Sequence, residues 1–160
     1  GVLATPTTVE TKAYTNSILH FNPKTFVIEQ PCPEFVPMIE MDNINLDDIT
    51  DVATCYLQPL LKQKIHSLIL GCSHYPLITR SLNEVLPSSV KLIDPAEALS
   101  LKLKLFMDSK TSVYAKKKKL VDLKFYVTSN CKNFSHKAKY WLNVFPEVNL
   151  VSLQNKGWVS

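Results

Sequence analysis

The sequence predicts an α/β fold with a mostly parallel sheet and helices on both faces. Short apolar runs typical of strands alternate with longer stretches in which apolar residues recur every three or four positions. Strand and helix in repeated alternation favour parallel pairing. The run Ser67–Leu70 is almost continuously apolar, as a strand buried on both faces should be. Apolar residues make up 46% of the 160 residues, which is enough to bury a sizeable core.

The elements follow one another in a regular order. Strands are predicted at Val2–Thr5, Thr25–Glu29, Ser67–Gly71, Val90–Asp94, Leu123–Thr128 and Val148–Leu153. Helices are predicted between them at Thr8–Phe21, Asp47–Gln63, Leu77–Leu86, Ala96–Met107 and Asn133–Leu142. Asn22-Pro23 should end the first helix, and Asp94-Pro95 should start the fourth with an N-cap followed by proline.

Composition and charge exclude several classes of protein. No run approaches the roughly 20 apolar residues that a membrane span needs, and no signal peptide is visible. Residues 1–98 carry six basic and eleven acidic side chains, whereas residues 99–160 carry twelve and three. Nucleic-acid binding is disfavoured all the same, since Arg80 is the single arginine and the run Lys116–Lys119 has the pattern of a solvated loop. The chain opens with Gly1 and an apolar run, as if inside a domain.

The four cysteines do not form a recognisable metal or disulfide pattern. Their spacing contains no CxxC pair, so no metal site is predicted. We expect Cys32, Cys55 and Cys131 to be reduced, mostly buried small hydrophobic residues. Cys72 differs from these three because it follows a predicted strand.

The end of the third predicted strand carries the strongest chemical signal. Ligands of open α/β sheets bind beyond the carboxyl ends of the strands. Gly71 would let the backbone pass close to a ligand, and Cys72 would lie where free N–H groups and a helix dipole favour a thiolate. His74, two residues on, could assist by charge or proton transfer. The pattern predicts a thiolate nucleophile or base, with a structural cysteine as the alternative.

The segment Leu68–Leu77 resembles the second catalytic-cysteine motif of glutamate racemases, LILGCTHYPLL. The segment Gly1–Val9 resembles the GVIGTxxT strand and turn of that family, and Cys32–Glu40 resembles its CPLFVPLVE segment. Further counterparts occur in order at Tyr56–Leu60, Leu92–Asp94 and Phe125–Thr128, so that the resemblance covers essentially the whole chain. His74 favours glutamate racemases over aspartate racemases, which typically carry Glu at that place.

The resemblance implies a cofactor-independent enzyme that interconverts L- and D-glutamate for peptidoglycan synthesis. In the family, one cysteine thiolate removes the Cα proton and a second cysteine returns a proton to the opposite face of the substrate. Carried over by motif, Cys72 is one of this pair, His74 assists it, and Glu40 is an acidic residue near the site. Substrate contacts would come from Thr5, Thr8, Ser73 and His74, where Ser73 replaces the usual threonine. The threonines would otherwise serve a turn or N-cap, and Glu40 would otherwise be an exposed acid ahead of a loop.

The resemblance also implies the domain organisation. Residues 1–98 would form a flavodoxin-like second lobe, and residues 99–160 a crossover helix and a segment that returns to the first lobe. The family's FDSGxGG and CNTA motifs are not present, so the chain alone is expected to be inactive and to need the N-terminal half of the enzyme as a partner.

Alternatives remain for both activity and partners. They are an aspartate or broad-specificity amino-acid racemase, or a non-catalytic single-lobe binding protein. Glutamate is the expected substrate, the location is expected to be cytoplasmic, neither nucleic acid nor membrane is an expected partner, and a homodimer is left open.

Overall fold

The computed structural model describes residues 1–109, 124–143 and 146–152. The chain divides into two compact units, Gly1–Ser109 and Lys110–Ser160. The helix predicted at Ala96–Met107 extends from Pro95 to Ser109 and belongs to the first unit. That residues 99–160 return to a preceding lobe stays a prediction, and the lysine run 116–119 lies outside the described residues.

The first unit contains a four-stranded, all-parallel sheet. Its elements are β1 Val2–Ala4, α1 Pro6–Glu10, α2 Ala13–Phe21, β2 Glu29–Pro31, α3 Phe35–Ile39, α4 Leu46–Lys62, β3 Ser67–Leu70, a 3₁₀ turn at Tyr75–Ile78, α5 Thr79–Val85, β4 Lys91–Ile93 and α6 Pro95–Ser109. The strand order β2-β1-β3-β4 is that of a flavodoxin-like sheet as far as its fourth strand, which confirms the predicted fold class.

The sheet order decides which helices share a face. The chain steps one way from β1 to β2 and the other way from β2 to β3 and from β3 to β4. Right-handed crossovers therefore put α1 and α2 on one face and α3, α4 and α5 on the other. In agreement, α4 packs against α5. Its buried side chains, Ile49, Ala53, Leu57 and Leu60, recur every three or four residues as the sequence pattern predicts.

The core of the first unit lies between the sheet and the face that carries α4. Strand β1 is buried at all three of its residues, and Leu68 and Leu70 of β3 are also buried. Leu82 from α5 and Ile78 from the 3₁₀ turn complete this layer. By contrast, α1 and α2 contain no fully buried residue.

Two predicted helices are divided in the structure. The helix predicted at Thr8–Phe21 forms two helices, because Lys12 adopts the left-handed conformation with φ 52°. The helix predicted at Leu77–Leu86 begins as a 3₁₀ turn, and its α-helical part starts only at Thr79. The second strand is displaced from its predicted position at Thr25–Glu29 to Glu29–Pro31. The predicted cap of α6 is confirmed, since the Ala96 amide donates to Asp94 Oδ1 at 2.9 Å.

The described part of the second unit is a strand, a helix and a parallel strand. These are β5 Lys124–Val127, α7 Cys131–Leu142 and β6 Glu147–Leu150. Asn130 takes the left-handed conformation before α7, and its side chain accepts a hydrogen bond from the Asn133 amide at 3.2 Å, so it caps the helix. The rings of Phe125 and Phe134 pack with their centroids 5.4 Å apart.

Candidate active site

The candidate site lies where β1 and β3 end side by side. Helical connections leave these two neighbouring strands in opposite directions across the sheet, which is the arrangement that opens a crevice for ligands. Leu3 pairs with Leu70, so the same register continued by two residues places Thr5 opposite Cys72. Two of the segments that the sequence predicts to be functional therefore meet at one edge of the sheet.

Gly71 allows these two strands to approach each other. A Cβ atom at Gly71 would lie 2.7 Å from the Leu3 carbonyl oxygen, 3.0 Å from Ala4 Cβ and 3.0 Å from Tyr14 Cε2. Its amide donates to that same Leu3 carbonyl at 2.7 Å. The observed close approach is thus to the protein's own chain, whereas the sequence suggested a close approach to a ligand.

Cys72, His74 and Glu40 form a continuous line of contacts. Cys72 Sγ lies 3.9 Å from His74 Nδ1, and His74 Nε2 lies 2.9 Å from Glu40 Oε1. The His74 and Glu40 side chains are 33% and 43% exposed, so the line runs from the half-buried thiol toward solvent. Glu40 reaches this place because it follows α3; it is exposed and precedes a loop, as the alternative predicts, and it also contacts His74. A carboxylate that orients an imidazole beside a thiol is suited to proton transfer.

A cleft of about 260 Å³ opens beside the thiol. Cys72 and Ser73 form one part of its wall. Tyr14 from α2 and Asp94 and Leu99 from the start of α6 contribute the rest. The cleft therefore presents a thiol, two hydroxyls and a carboxylate together with apolar side chains, the mixture expected for a small polar ligand.

The two predicted substrate-binding threonines bond to each other. Thr5 Oγ1 and Thr8 Oγ1 are 2.9 Å apart, and neither residue is part of the cleft wall beside Cys72. Thr5 stands at the N-cap of α1 but makes no side-chain capping bond. The structure thus brings the backbone of Thr5 to the site, while the two hydroxyls satisfy one another.

The helix dipole expected at Cys72 is replaced by a different local structure. The Tyr75 amide donates to the Cys72 carbonyl at 3.1 Å, and the Leu77 amide donates to the His74 carbonyl at 3.0 Å. These bonds close a 3₁₀ turn, and α5 begins seven residues after Cys72 and is itself seven residues long. The α-helix whose dipole was expected at Cys72 therefore starts only at Thr79.

Three packed aromatic rings, two of them buried, support the loop that carries Glu40. Phe35 packs edge-to-face against Tyr56 and Tyr75, with ring centroids 5.2 and 5.3 Å away. The Tyr75 hydroxyl donates to the Cys32 carbonyl at 3.3 Å, and burial raises the pKa of Tyr75. Burial, together with the hydrogen bond to Glu34, raises the pKa of Tyr56 to about 12. These contacts tie α3 to α4 and to the 3₁₀ turn that follows Cys72.

The remaining cysteines are separate from this chemistry. All four cysteines are free thiols. Cys32 is buried as predicted, its Sγ donates to the Gln30 carbonyl at 3.4 Å, and burial raises its pKa to about 12. Cys131 is half-buried, and Cys55 lies exposed on α4, so the prediction that Cys55 is buried is wrong. Within the described ranges, no three His, Cys, Asp or Glu side chains converge as a metal site.

Sequence reasoning missed Tyr14 as a member of the site. The sequence predicts one regular helix at Thr8–Phe21, and nothing in that pattern indicates that Tyr14 lies in the cleft. The left-handed Lys12 ends α1 and starts α2, and Tyr14 is the second residue of α2. A positive φ at a lysine has no clear signature in the sequence, because glycine is the residue expected there.

A larger cavity, of about 500 Å³, lies at the opposite end of the sheet. Gly1, Ile65 and His66 are among the residues that line it, at the amino ends of β1 and β3. None of the predicted site residues lines this cavity, so we assign the site by its chemistry rather than by volume. No helix among the described residues is long and apolar enough to span a membrane.

Comparisons with known proteins identify close relatives. Over all 160 residues the chain is 84% identical to a glutamate racemase of Prochlorococcus marinus strain NATL1A, of which it spans 60%. It is 42% identical over 152 residues to a glutamate racemase of Synechococcus sp. strain CC9605, covering 94% of the chain and 57% of the relative. The chain therefore spans about 60% of the length of its first relatives. No protein-family model matches it.

Solved structures give the same result. Glutamate racemase RacE1 of Bacillus anthracis superposes with a TM-score of 0.84 at 27% identity, over 96% of this chain and 57% of that one. Glutamate racemase of Francisella tularensis, solved in complex with D-glutamate, superposes with a TM-score of 0.78 at 34% identity. The match covers 95% of this chain and 57% of that one. By sequence over its whole length and by fold, this chain corresponds to the C-terminal portion of glutamate racemases.

Proposed function

We propose that this chain supplies one catalytic face of an enzyme that interconverts L- and D-glutamate without a cofactor. The observation that carries the proposal is the line from Cys72 through His74 to Glu40. A thiol beside an imidazole that a carboxylate orients is equipped to give and take a proton at Cα of an amino acid. The bound D-glutamate of the Francisella tularensis relative supports glutamate as the substrate.

The proposed mechanism needs a second acid or base. The Cys72 thiolate removes the Cα proton from one face and becomes a thiol, and a thiol on the other face then protonates the carbanion and becomes a thiolate. In the reverse direction Cys72 returns the proton. Cys32 does not suit the second role, because its thiol is buried, bonds to the Gln30 carbonyl and has a raised pKa. We propose that the second cysteine comes from outside this chain.

His74 and Glu40 act on Cys72 in this proposal. As the proton moves, His74 assists the Cys72 thiol by its charge or by proton transfer. Glu40 fixes the orientation of the His74 ring. Ser73 offers a hydroxyl to the substrate from the cleft wall. Thr5 and Thr8 would join it once a ligand competes for the bond between their hydroxyls. The product D-glutamate would serve peptidoglycan synthesis in the cytoplasm.

The test compares the full-length protein that contains this chain with the isolated 160 residues. Each is incubated with L-glutamate in D₂O, and the product is analysed for D-glutamate with deuterium at Cα. We expect the full-length protein to form deuterated D-glutamate and the isolated chain to form none. Turnover by the isolated chain would contradict the two-base mechanism, and failure of the full-length protein would contradict the activity. Aspartate as a competing substrate tests the alternative specificity.

A further inference from the structure

We propose that Tyr14 is a ligand-binding residue of the Cys72 cleft, with its ring seated against Gly71 and its hydroxyl donating a hydrogen bond to an anionic group of the bound amino acid. The assignment of that ligand rests on the proposed function. The placement of Tyr14 rests on the geometry of α2, the strand ends and the cleft.

The backbone brings Tyr14 to the strand ends. Lys12 in the left-handed conformation separates α1 from α2, so that the second helix starts afresh at Ala13. The next residue along, Thr15, fastens this first turn to β2, because its amide donates to Glu29 Oε1 at 2.8 Å and its hydroxyl bonds to the same oxygen. Tyr14 therefore lies between the left-handed Lys12, which starts α2, and Thr15, which is bonded to β2.

The ring of Tyr14 lies against the backbone that precedes the reactive thiol. A Cβ atom at Gly71 would be 3.0 Å from Tyr14 Cε2, so the ring edge occupies the space that glycine leaves open. The side chain then continues into the wall of the cleft next to Cys72 and Ser73. A ligand that fills this cleft with its Cα near Cys72 would lie next to the Tyr14 side chain.

The hydroxyl is suited to donate. Burial, the charge of Cys72 and the charge of Glu29 all raise the pKa of Tyr14, so the phenol keeps its proton. None of the side-chain hydrogen bonds found within residues 1–109, 124–143 and 146–152 uses this hydroxyl. A protonated phenol in a cleft wall is a neutral donor available to a ligand.

An anionic ligand needs such a donor here. The cleft already contains a thiol that must ionise and the carboxylate of Asp94, whose Oδ1 accepts the Ala96 amide. A negative charge on either group would repel the carboxylate of a bound ligand at short distance. A hydrogen bond from an uncharged hydroxyl offsets that repulsion without neutralising the thiolate, whereas a lysine in the same place would pair with it.

The first test uses Tyr14→Phe in the full-length protein, which keeps the ring and removes the hydroxyl. We expect KM for glutamate to rise about tenfold to a hundredfold, since a hydrogen bond to a charged group is lost, with kcat changing less than threefold. Tyr126→Phe is the matched control, because it removes an exposed hydroxyl that does not line the cleft. A KM within twofold of the wild type would overturn the assignment.

The second test does not depend on racemisation. Cys72 is alkylated with iodoacetate, an anion, and with iodoacetamide, its neutral analogue, and the rates are followed on the Cys72 peptide by mass spectrometry. We expect Tyr14→Phe to lower the iodoacetate-to-iodoacetamide rate ratio about fivefold or more, by the loss of one charge-assisted bond. An unchanged ratio would refute the role of Tyr14, even if the full-length protein does not turn over glutamate. Wild-type inactivity with a lowered ratio would refute the proposed function alone.

Discussion

The two ends of the four-stranded sheet differ in what they bring together. At the amino ends of the strands, a cavity of about 500 Å³ is lined by residues such as Ile18, Phe26 and Ile65. At the carboxyl ends, Cys72 lines a cleft of about half that volume, and Cys72 also contacts His74, which contacts Glu40. The comparison teaches that size alone does not identify a site; convergence of reactive groups does.

The difference follows from the strand order. Chain connections leave β1 and β3 in opposite directions at their carboxyl ends, so the loops diverge and leave a crevice between them. One segment of predicted site residues follows each strand, Thr5–Thr8 after β1 and Gly71–His74 after β3. A third segment comes from the end of α3, where Glu40 lies.

The largest effect is expected when the thiol is removed. Cys72→Ser in the full-length protein should lower the rate of racemisation by about 10²–10⁴-fold, because a hydroxyl at this place is a far weaker base than a thiolate. His66→Gln, at the amino-end cavity, should leave the rate within twofold. Deuterium incorporation at Cα measures both variants. An equal loss of racemisation rate in the two variants would contradict the assignment of the site to the carboxyl ends of the strands.

A second prediction compares two glycines at the opposite ends. Gly71→Ala should lower the free energy of unfolding by about 1–3 kcal/mol, since the new methyl meets the Leu3 carbonyl of the neighbouring strand. Gly1→Ala should cost less, because the close atoms there are the ends of side chains, Ile65 Cδ1 at 2.9 Å and Leu68 Cδ1 at 3.2 Å, which can move. Urea unfolding measures both changes, and a greater loss for Gly1→Ala would contradict the prediction.

The third prediction concerns the contact between Glu40 and His74. Glu40→Gln should lower turnover about tenfold, because an uncharged amide can orient the imidazole but supports proton transfer through it less than a carboxylate does. The urea midpoint should hardly change, since a contact between side chains that are 33% and 43% exposed contributes little to stability. Glu34→Gln is the control on the same segment, as Glu34 bonds to the Tyr56 hydroxyl. Unchanged turnover in Glu40→Gln would exclude the line of contacts from the mechanism.

The fourth prediction is a loss of stability at alkaline pH. The Cys32 thiol keeps its proton in the folded state up to a pKa of about 12, whereas in the unfolded chain it ionises near its ordinary value of 9.0. The unfolded state therefore binds fewer protons between these values, and stability falls as pH rises from about 9 toward 12. Cys32→Ala should reduce this slope in urea unfolding, while Cys55→Ala, on the exposed face of α4, should not.

The smallest effect is expected at the end of α4. Lys64 follows that helix in the left-handed conformation, with φ 53°, at the position where helices usually place glycine. Lys64→Gly should raise the free energy of unfolding by up to about 1 kcal/mol. The change relieves backbone strain in the folded state, and this gain should exceed the stabilisation of the unfolded state by the greater conformational entropy of glycine. Turnover should not change, because Lys64 lies at the amino-end cavity. A lowered urea midpoint would contradict this.

The sequence by itself determined the α/β class and the strands that flank the candidate site, and it predicted the role of the Cys72 thiol. These are local properties: the apolar run at Ser67–Leu70 predicts a buried strand, and the residues after it carry the motif. The resemblance to known motifs also predicts His74 and Glu40 as site residues, and the structure brings these two side chains into contact. Their catalytic roles stay predictions.

Only the tertiary structure decided which side chains share the cleft. Tyr14 enters it because Lys12 breaks a helix that the apolar pattern predicts to be continuous. A glycine is needed at position 71 because the Leu3 carbonyl of the neighbouring strand, remote in sequence, lies too close for a side chain, and not because of a positive φ. Periodicity reports which face of an element is apolar, but it carries no information on a left-handed lysine or on the distance between two strands. Those depend on packing between segments remote in the chain, and packing exists only once the sheet has formed.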